Sequence, residues 1–170
     1  MQFRVLQADD AEALMRFEVS NRHWFERFIE ARGDAFYAPD SIREHIDACL
    51  SEYARQQTYP TVIIDQGAIL ARVNLRQVDW SSRQARLGYR VAQAAAGRGV
   101  ASFGVAAMIR RAREEWRLSA LEAFASLENP ASQRVLEKQG FDVTDRHPGM
   151  ARVGDRRIDC LGYRLALSAR

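Results

Sequence analysis

The segment from Gly88 to Ser102, GYRVAQAAAGRGVAS, constrains this chain more than any other. Strand-type residues run into a loop holding Gly97 and Gly99, and the loop opens at once into the helix-forming run Val100-Ala101-Ser102. A strand, a glycine loop and a helix N-terminus in that order aim several unpaired backbone N–H groups at one point. The glycines let an anion approach the backbone with no Cβ in the way. The segment therefore predicts a phosphate cradle, although a Gly-x-Gly by itself does not separate a cradle from a turn.

Around this segment the pattern is that of one mixed α/β domain spanning residues 1–170. Phe3 to Gln7 alternates as a strand, and Asp9-Asp10 cap a helix reaching Ser20. A second helical stretch covers Asn21 to Ile29. After the break from Gly33 to Pro39, Ser41 begins a longer helix that buries Ile42, Ile46, Cys49, Leu50 and Tyr53. Thr61 to Asp65 and Ala68 to Val78 form a hairpin about Gln66-Gly67, and Arg86 to Val91 is a further strand. Ala101, Val105, Met108, Ala112 and Trp116 form the apolar stripe of a helix packed on a sheet. Leu121 to Leu127 alternates with Leu121, Ala123, Ala125 and Leu127 on one side. Asn129-Pro130 starts a helix that Gly140 stops. The tail, with turns at His147-Pro148-Gly149 and Gly154-Asp155, supplies the last strands.

Composition narrows the function classes. Of the 170 residues 47% are hydrophobic and 28% charged, which is ordinary globular material, and no apolar run reaches the length of a membrane span. The N-terminal MQFRVLQADDAEAL lacks the apolar core of a signal peptide, so a cytoplasmic protein is expected. Cys49 and Cys160 lie far apart, neither in a Cys-x-x-Cys, and read as two buried thiols rather than a metal knuckle or redox pair. No metal site is expected. The net charge of +3 is modest, and the clusters Arg110-Arg111-x-Arg113 and Arg156-Arg157 are interleaved with acids. They predict solvated faces, not a nucleic-acid or membrane surface.

The second motif is ENPASQRVLEKQGF, residues 128 to 141. Together with Ala96-Gly97-Arg98-Gly99-Val100-Ala101 it resembles the GNAT superfamily of acetyl-CoA-dependent N-acetyltransferases. The first motif is similar to that family's Gln/Arg-x-x-Gly-x-Gly/Ala loop, with Gly99 and Ala101 at the small positions. The second resembles the Asn-x-x-Ser-x-x-x-x-Glu-Lys-x-Gly-Phe signature of the RimJ/RimL branch, the ribosomal-protein N-terminal acetyltransferases and their small-molecule relatives. Gly88-Tyr89 ahead of the loop and NRHWFERFI from Asn21 extend the likeness over nearly the whole chain.

The resemblance implies a central, mostly antiparallel sheet splayed between two strands and flanked by helices. It implies that the backbone of Tyr89, Arg90 and Val91 pairs with the pantetheine arm of acetyl-CoA. The pyrophosphate would sit on amides of Gly97, Arg98, Gly99, Val100, Ala101 and Ser102, with Arg98 adding a charge-assisted contact. Asn129 would hydrogen-bond the same ligand while also capping its helix. Ser132 would face the thioester and donate to the departing thiolate. The acceptor wall would come from His23, Trp24, Phe25 and Phe28, which as an aromatic stripe also read as core.

Three positions depart from the family. Ala96 heads the phosphate loop in place of Gln or Arg, Leu136 stands where many relatives place a thiolate-protonating tyrosine, and Arg86 replaces a glutamate suited to deprotonating the amine. An α-amine, with a pKa of roughly 7.7–8.0, needs less help from a base than a lysine does. The expected acceptor is thus a protein N-terminus or a small-molecule amine. A strand amide near Val91 is the candidate oxyanion donor. Glu122, Glu128, His147 and Asp159 are the candidate bases. Two other readings stay open: a non-catalytic acyl-CoA-binding module, and a Rossmann-type nucleotide binder, which the loop fits less well because it lacks the full Gly-x-Gly-x-x-Gly. Oligomeric state, a homodimer included, is not encoded.

Overall fold

The computed structural model describes residues 1–167. Strand β1 (Gln2–Val5) leads through a 3-10 turn, Ala8–Asp10, into α1 (Ala11–Ser20) and the short α2 (Arg22–Phe25). A second 3-10 turn, Asp34–Tyr37, precedes α3 (Pro39–Ala54). Then follow β2 (Tyr59–Asp65), β3 (Ala68–Asp79), β4 (Gln84–Val91), α4 (Val100–Glu114), β5 (Ala120–Ser126), α5 (Pro130–Lys138), β6 (Asp142–Val153) and β7 (Arg156–Ala166). The seven strands form one sheet in the order β1-β2-β3-β4-β5-β7-β6, antiparallel at every pair except β4 with β5. No helix among the described residues is long and apolar enough to cross a membrane.

Strand alternation assigns the two faces of the sheet. Odd-numbered residues of β3 and β4 meet α4 and α5: Gly104 lies where an added Cβ would come 2.7 Å from Val73 Cγ2, and Tyr89 reaches α5. A glycine here lets α4 settle directly on β2 and β3. Even-numbered residues meet α1 and α3, through Arg72 with Glu18 and His45. The core lies on both faces, with Leu14, Ile42, Ile46, Val105, Met108 and Leu121 all buried.

Several element ends differ from the sequence reading, each for a local reason. Pro39 opens α3 instead of preceding it, because a proline at the first helical position gives up no needed N–H. Regular α2 ends at Phe25 and runs on only as hydrogen-bonded turns, Phe28 and Ile29 both donating to the Phe25 carbonyl. The segment His147-Pro148-Gly149 is not a turn. It lies inside β6 and bulges out of register with β7, Gly149 taking φ +61° and donating to Asp159. β6 is an edge strand, where a proline breaks no second ladder. Leu127 falls past the end of β5 and is exposed, unlike Leu121, Ala123 and Ala125. Cys160 is buried as expected, whereas Cys49 is only half-buried.

A buried charge cluster pins α1 and α3 to the sheet. Glu18 and Arg72 are 1% and 2% exposed and lie 3.5 Å apart, and Arg90 meets the other Glu18 oxygen at 3.1 Å. Arg72 also donates to His45 Nε2 at 2.9 Å, so that nitrogen must present its lone pair and the imidazole is neutral. Burial, reinforced by Arg72, Arg32 and Arg90, pulls the His45 pKa down to about 3.

An unfolded chain protonates His45 near its ordinary value of 6.5, while the fold refuses that proton down to about 3. This contribution to stability is therefore complete above neutral pH and is lost as pH falls through the unfolded value. Between pH 7.5 and pH 5 it is expected to fall by up to about 2 kcal/mol. Urea midpoints at the two pH values test this: His45→Gln, which retains an acceptor for Arg72, should show a smaller drop than the parent.

Candidate active site

The site begins where β4 and β5 part. Their parallel ladder holds only Gln84, Ala85 and Arg86 against Ala120, Leu121 and Glu122. Beyond it β4 runs on to Val91 with β3 alone at its side. The Ala92 N–H donates to the Leu70 carbonyl, so in the alternating antiparallel pattern it is Arg90 and Gly88 that exchange bonds with β3. Leu87, Tyr89 and Val91 consequently turn their N–H and C=O groups toward the gap. β5 is meanwhile fully engaged with β7 on its far side. The result is a cleft of about 740 Å³, walled by Tyr89, Arg90 and Val91 on one strand and by Phe124, Ala125 and Ser126 on the other.

The glycine loop closes one end of this cleft. Gly97 and Gly99 adopt φ +73° and +78°, left-handed values that suit glycine, and nothing lies within 4 Å of where their Cβ atoms would be. Gly99 immediately precedes α4, and its carbonyl accepts the bond from the Phe103 N–H. The N–H groups of Val100, Ala101 and Ser102 thus have no intrahelical partner, and these residues line the cleft with Gly97 and Gly99. The Arg98 side chain is exposed and does not line it.

At the opposite wall Asn129 caps α5, its Oδ1 accepting the Ser132 N–H at 3.1 Å, and it also borders the cleft. The Ser132 hydroxyl lies 2.8 Å from the Tyr89 hydroxyl, a bridge from α5 across to β4. The phenol also donates to the Ser132 carbonyl at 3.1 Å. Burial pushes the Tyr89 pKa up to about 12, outweighing its bond to Ser132, so the phenol keeps its proton. Leu136, at the departing position of the second motif, is wholly buried and takes no part in the cleft.

Trp24, Phe25 and Phe28 line the cleft from the α2 side, and Trp24 Nε1 donates to the Val91 carbonyl at 3.1 Å. His23 is exposed and faces away. None of the four carboxylate or imidazole candidates borders the cleft. Glu128 pairs with Arg156, and Asp159 is held by Arg146 and the Gly149 N–H. Glu122 lines a separate, smaller recess beside Arg86. His147 contacts Asp145 at 3.0 Å and sets its ring edge-on to Phe124, one residue behind the cleft wall.

Sequence reasoning missed three features. Asn21 is buried between the Phe17 carbonyl and the Gln93 N–H, fixing the loop to the end of α1. Arg134 and Lys138, one turn apart on α5, border the cleft, and their i, i+4 spacing from Pro130 was the available signal. The Tyr89–Ser132 bridge joins residues distant in sequence. Only alternation along β4, which puts Tyr89 on the α5 face, hinted at it.

A sheet opened between two parallel neighbours, with a helix N-terminus at one end and hydroxyl groups at the other, is a cleft that offers an unpaired strand edge beside unpaired helix N–H groups. Comparison with known proteins supplies the family. Residues 1–142 match the family model described as an acetyltransferase (GNAT) domain. The chain is 30% identical over 141 residues to the Bacillus subtilis protein named "Probable N-acetyltransferase YjcK", covering 81% of this chain and 78% of that one. The ribosomal-protein-S5-alanine acetyltransferase of Vibrio fischeri superposes with a TM-score of 0.94 at 18% identity, over 98% of this chain and 93% of that one. Mycobacterium smegmatis RimJ, solved with CoA-disulfide, gives 0.89 at 23% identity, over 96% and 80%. The chain belongs to the GNAT acetyltransferase family and is an N-acetyltransferase.

Asn129→Ala removes the α5 cap and is expected to cost about 1 kcal/mol. Asn129→Asp, which can still accept the Ser132 N–H, should recover most of it in thermal unfolding. Equal losses for the two variants would remove capping from the role of Asn129.

Proposed function

We propose that the chain moves the acetyl group of acetyl-CoA to a primary amine, a protein N-terminal α-amine or a small-molecule amine. The observation that carries this reading is the early end of the β4–β5 ladder, which leaves the N–H and C=O of Tyr89 and the N–H of Val91 open beside a glycine-loop helix N-terminus. Those strand groups suit the amides of a pantetheine arm, which needs donors and acceptors at strand spacing. The N–H groups from Gly97 to Ser102 suit a pyrophosphate, with Arg134 and Lys138 at the cleft wall adding charge.

Acetyl-CoA supplies an activated thioester. Attack by a neutral amine forms a C–N bond, and collapse of the resulting oxyanion breaks the C–S bond. A gap-facing strand N–H near Val91 is the candidate to steady developing negative charge. Ser132 is the group to donate a proton to the leaving sulfur, with Tyr89 behind it at 2.8 Å passing on its own proton and regaining one from water after the thiol leaves. A phenol retained in its neutral form suits this task where Leu136 offers nothing. Among the described residues the one carboxylate bordering the cleft is Glu137, which Tyr163 contacts, and the amine sheds its proton to water. An amine of low pKa is favoured for that reason.

Three outcomes test this reading. Incubation with acetyl-CoA and a panel of N-terminal peptides, amino acids and polyamines, followed by intact-mass analysis, should find an acceptor that gains one acetyl group; tight CoA binding with no acetylated product would favour a non-catalytic acyl-CoA module. Tyr89→Phe should lower kcat by about tenfold and Ser132→Ala by ten- to a hundredfold, with KM for acetyl-CoA little changed. For an α-amine acceptor, kcat/KM should rise with pH to a plateau above about pH 8 and show no alkaline loss below about pH 10, because the Tyr89 proton is retained. A fall between pH 7 and 9 would contradict the proton-donor role.

A further inference from the structure

The even-numbered face of β3 and β4, behind the cleft, carries more positive charge than the protein neutralises. Arg72, Arg76, Arg86 and Arg90 share this face, Arg76 and Arg86 as register partners and Arg72 and Arg90 as the next such pair but one. Arg32 joins them from the segment between α2 and α3, its guanidinium 4.1 Å from the centroid of the Phe36 ring. One carboxylate, Glu18, serves the group, and it is taken by Arg72 and Arg90. His45, neutral, adds no negative charge.

Arg32, Arg76 and Arg86 form no ion pair among the described residues. Arg86 lies 4.5 Å from the Phe124 ring centroid, and its Nε is buried without a hydrogen-bond partner. Glu122 is its register partner on β5 but makes no ion pair with it. Asp79 and Glu122 line the small recess beside Arg86 without an ion pair to it, Asp79 holding Ser81 and Ser82 instead, and Asp145 meets Thr144 and His147. Arg32 and Arg86 are half-buried and Arg76 reaches solvent; partial loss of surrounding water, together with the neighbouring guanidinium groups of Arg72 and Arg86, lowers the pKa of Arg76. Like charges gathered this closely repel one another and make a favourable place for an anion.

The cluster also abuts the place of transfer. Arg76 lies over Gly88, where an added Cβ would stand 2.9 Å from its Nη2, and Gly88 precedes Tyr89 of the hydroxyl bridge. Arg86 rests on Phe124, which walls the cleft. From Arg86 to Tyr89 is three residues of strand, about 10 Å. We infer that the amine acceptor carries an anionic group, a carboxylate or a phosphate, that docks on Arg32, Arg76 and Arg86 about 10 Å from the reacting amine. An N-terminal peptide with acidic residues at its second and third positions has this spacing, as does a small amine bearing a distal phosphate. A polyamine, cationic throughout, would be repelled.

This inference rests on the acetyltransferase reading for its place of transfer, so its test reads binding apart from turnover. CoA-loaded protein is titrated calorimetrically with Ala-Glu-Glu-Gly amide against Ala-Gln-Gln-Gly amide, and with phosphoethanolamine against ethanolamine. The anionic member of at least one pair should bind at least about tenfold more tightly, the pair that discriminates showing whether carboxylate or phosphate is the natural group. Arg76→Gln should erase that preference, whereas Arg110→Gln, which removes the same charge from the outer face of α4, should preserve it. Equal binding within both pairs, or a preference that survives Arg76→Gln, overturns the inference. Acetyl transfer measured on the same compounds separates the two claims: anionic preference without turnover sinks only the acetyltransferase reading, and turnover of neutral or polyamine acceptors without anionic preference sinks only the docking site.

Discussion

Everything at the site depends on one interruption of hydrogen bonding, the end of the β4–β5 ladder after Arg86 and Glu122. Up to that point β4 is an interior strand with partners on both sides, and beyond it one of its edges lies open. An open strand edge inside a sheet is costly, since its N–H and C=O groups lose their protein partners. In this chain the open edge is held in place from several directions. Trp24 takes up the Val91 carbonyl, Asn21 fixes the Gln93 N–H, and the Tyr89–Ser132 bridge spans from β4 to α5. On the other face Glu18 anchors Arg90. These contacts keep the two strands apart at a fixed spacing, so the edge stays available to a ligand that is itself strand-like.

The charge distribution follows from the same topology. Alternation sends Tyr89 to the α5 face and Gly88 and Arg90 to the α1 face, so neighbouring residues serve opposite sides of the sheet. On one side there is a glycine loop, a helix N-terminus and a protonated hydroxyl pair. On the other there is a set of guanidinium groups with a single carboxylate between them. Arg86, which replaces the glutamate expected from the family resemblance, belongs to the second set. In the proposed docking site its positive charge would favour an anionic acceptor, and no candidate base stands in its place.

The parts of this structure governed by local sequence were legible. Gly97 and Gly99 sit before α4 as the loop pattern predicts, Asn129 caps α5 through Ser132, and the Gln66-Gly67 hairpin joins β2 to β3. Parts governed by tertiary pairing were not. Pro148 and Gly149 have turn chemistry, yet pairing with β7 keeps them inside an edge strand as a bulge. Leu127 continues the alternation of β5 in sequence but lies past the end of its ladder. His23 belongs to the aromatic run of α2, and only the orientation of that short helix turns it away from the cleft while Trp24, Phe25 and Phe28 face inward. The arginine cluster draws on three separate segments, the stretch between α2 and α3, β3 and β4, so no window of sequence contains it.

The central claim is that the open edge of β4 and the glycine loop form one continuous site for acetyl-CoA. Amide hydrogen exchange on the free and CoA-saturated protein tests it residue by residue. The account predicts new protection at the N–H groups of Tyr89 and Val91 together with those from Gly97 to Ser102, and little change at Arg90, whose N–H is already paired with β3. Saturation with CoA that left Tyr89 and Val91 exchanging at their free rates, or protected amides elsewhere on the sheet instead, would contradict it.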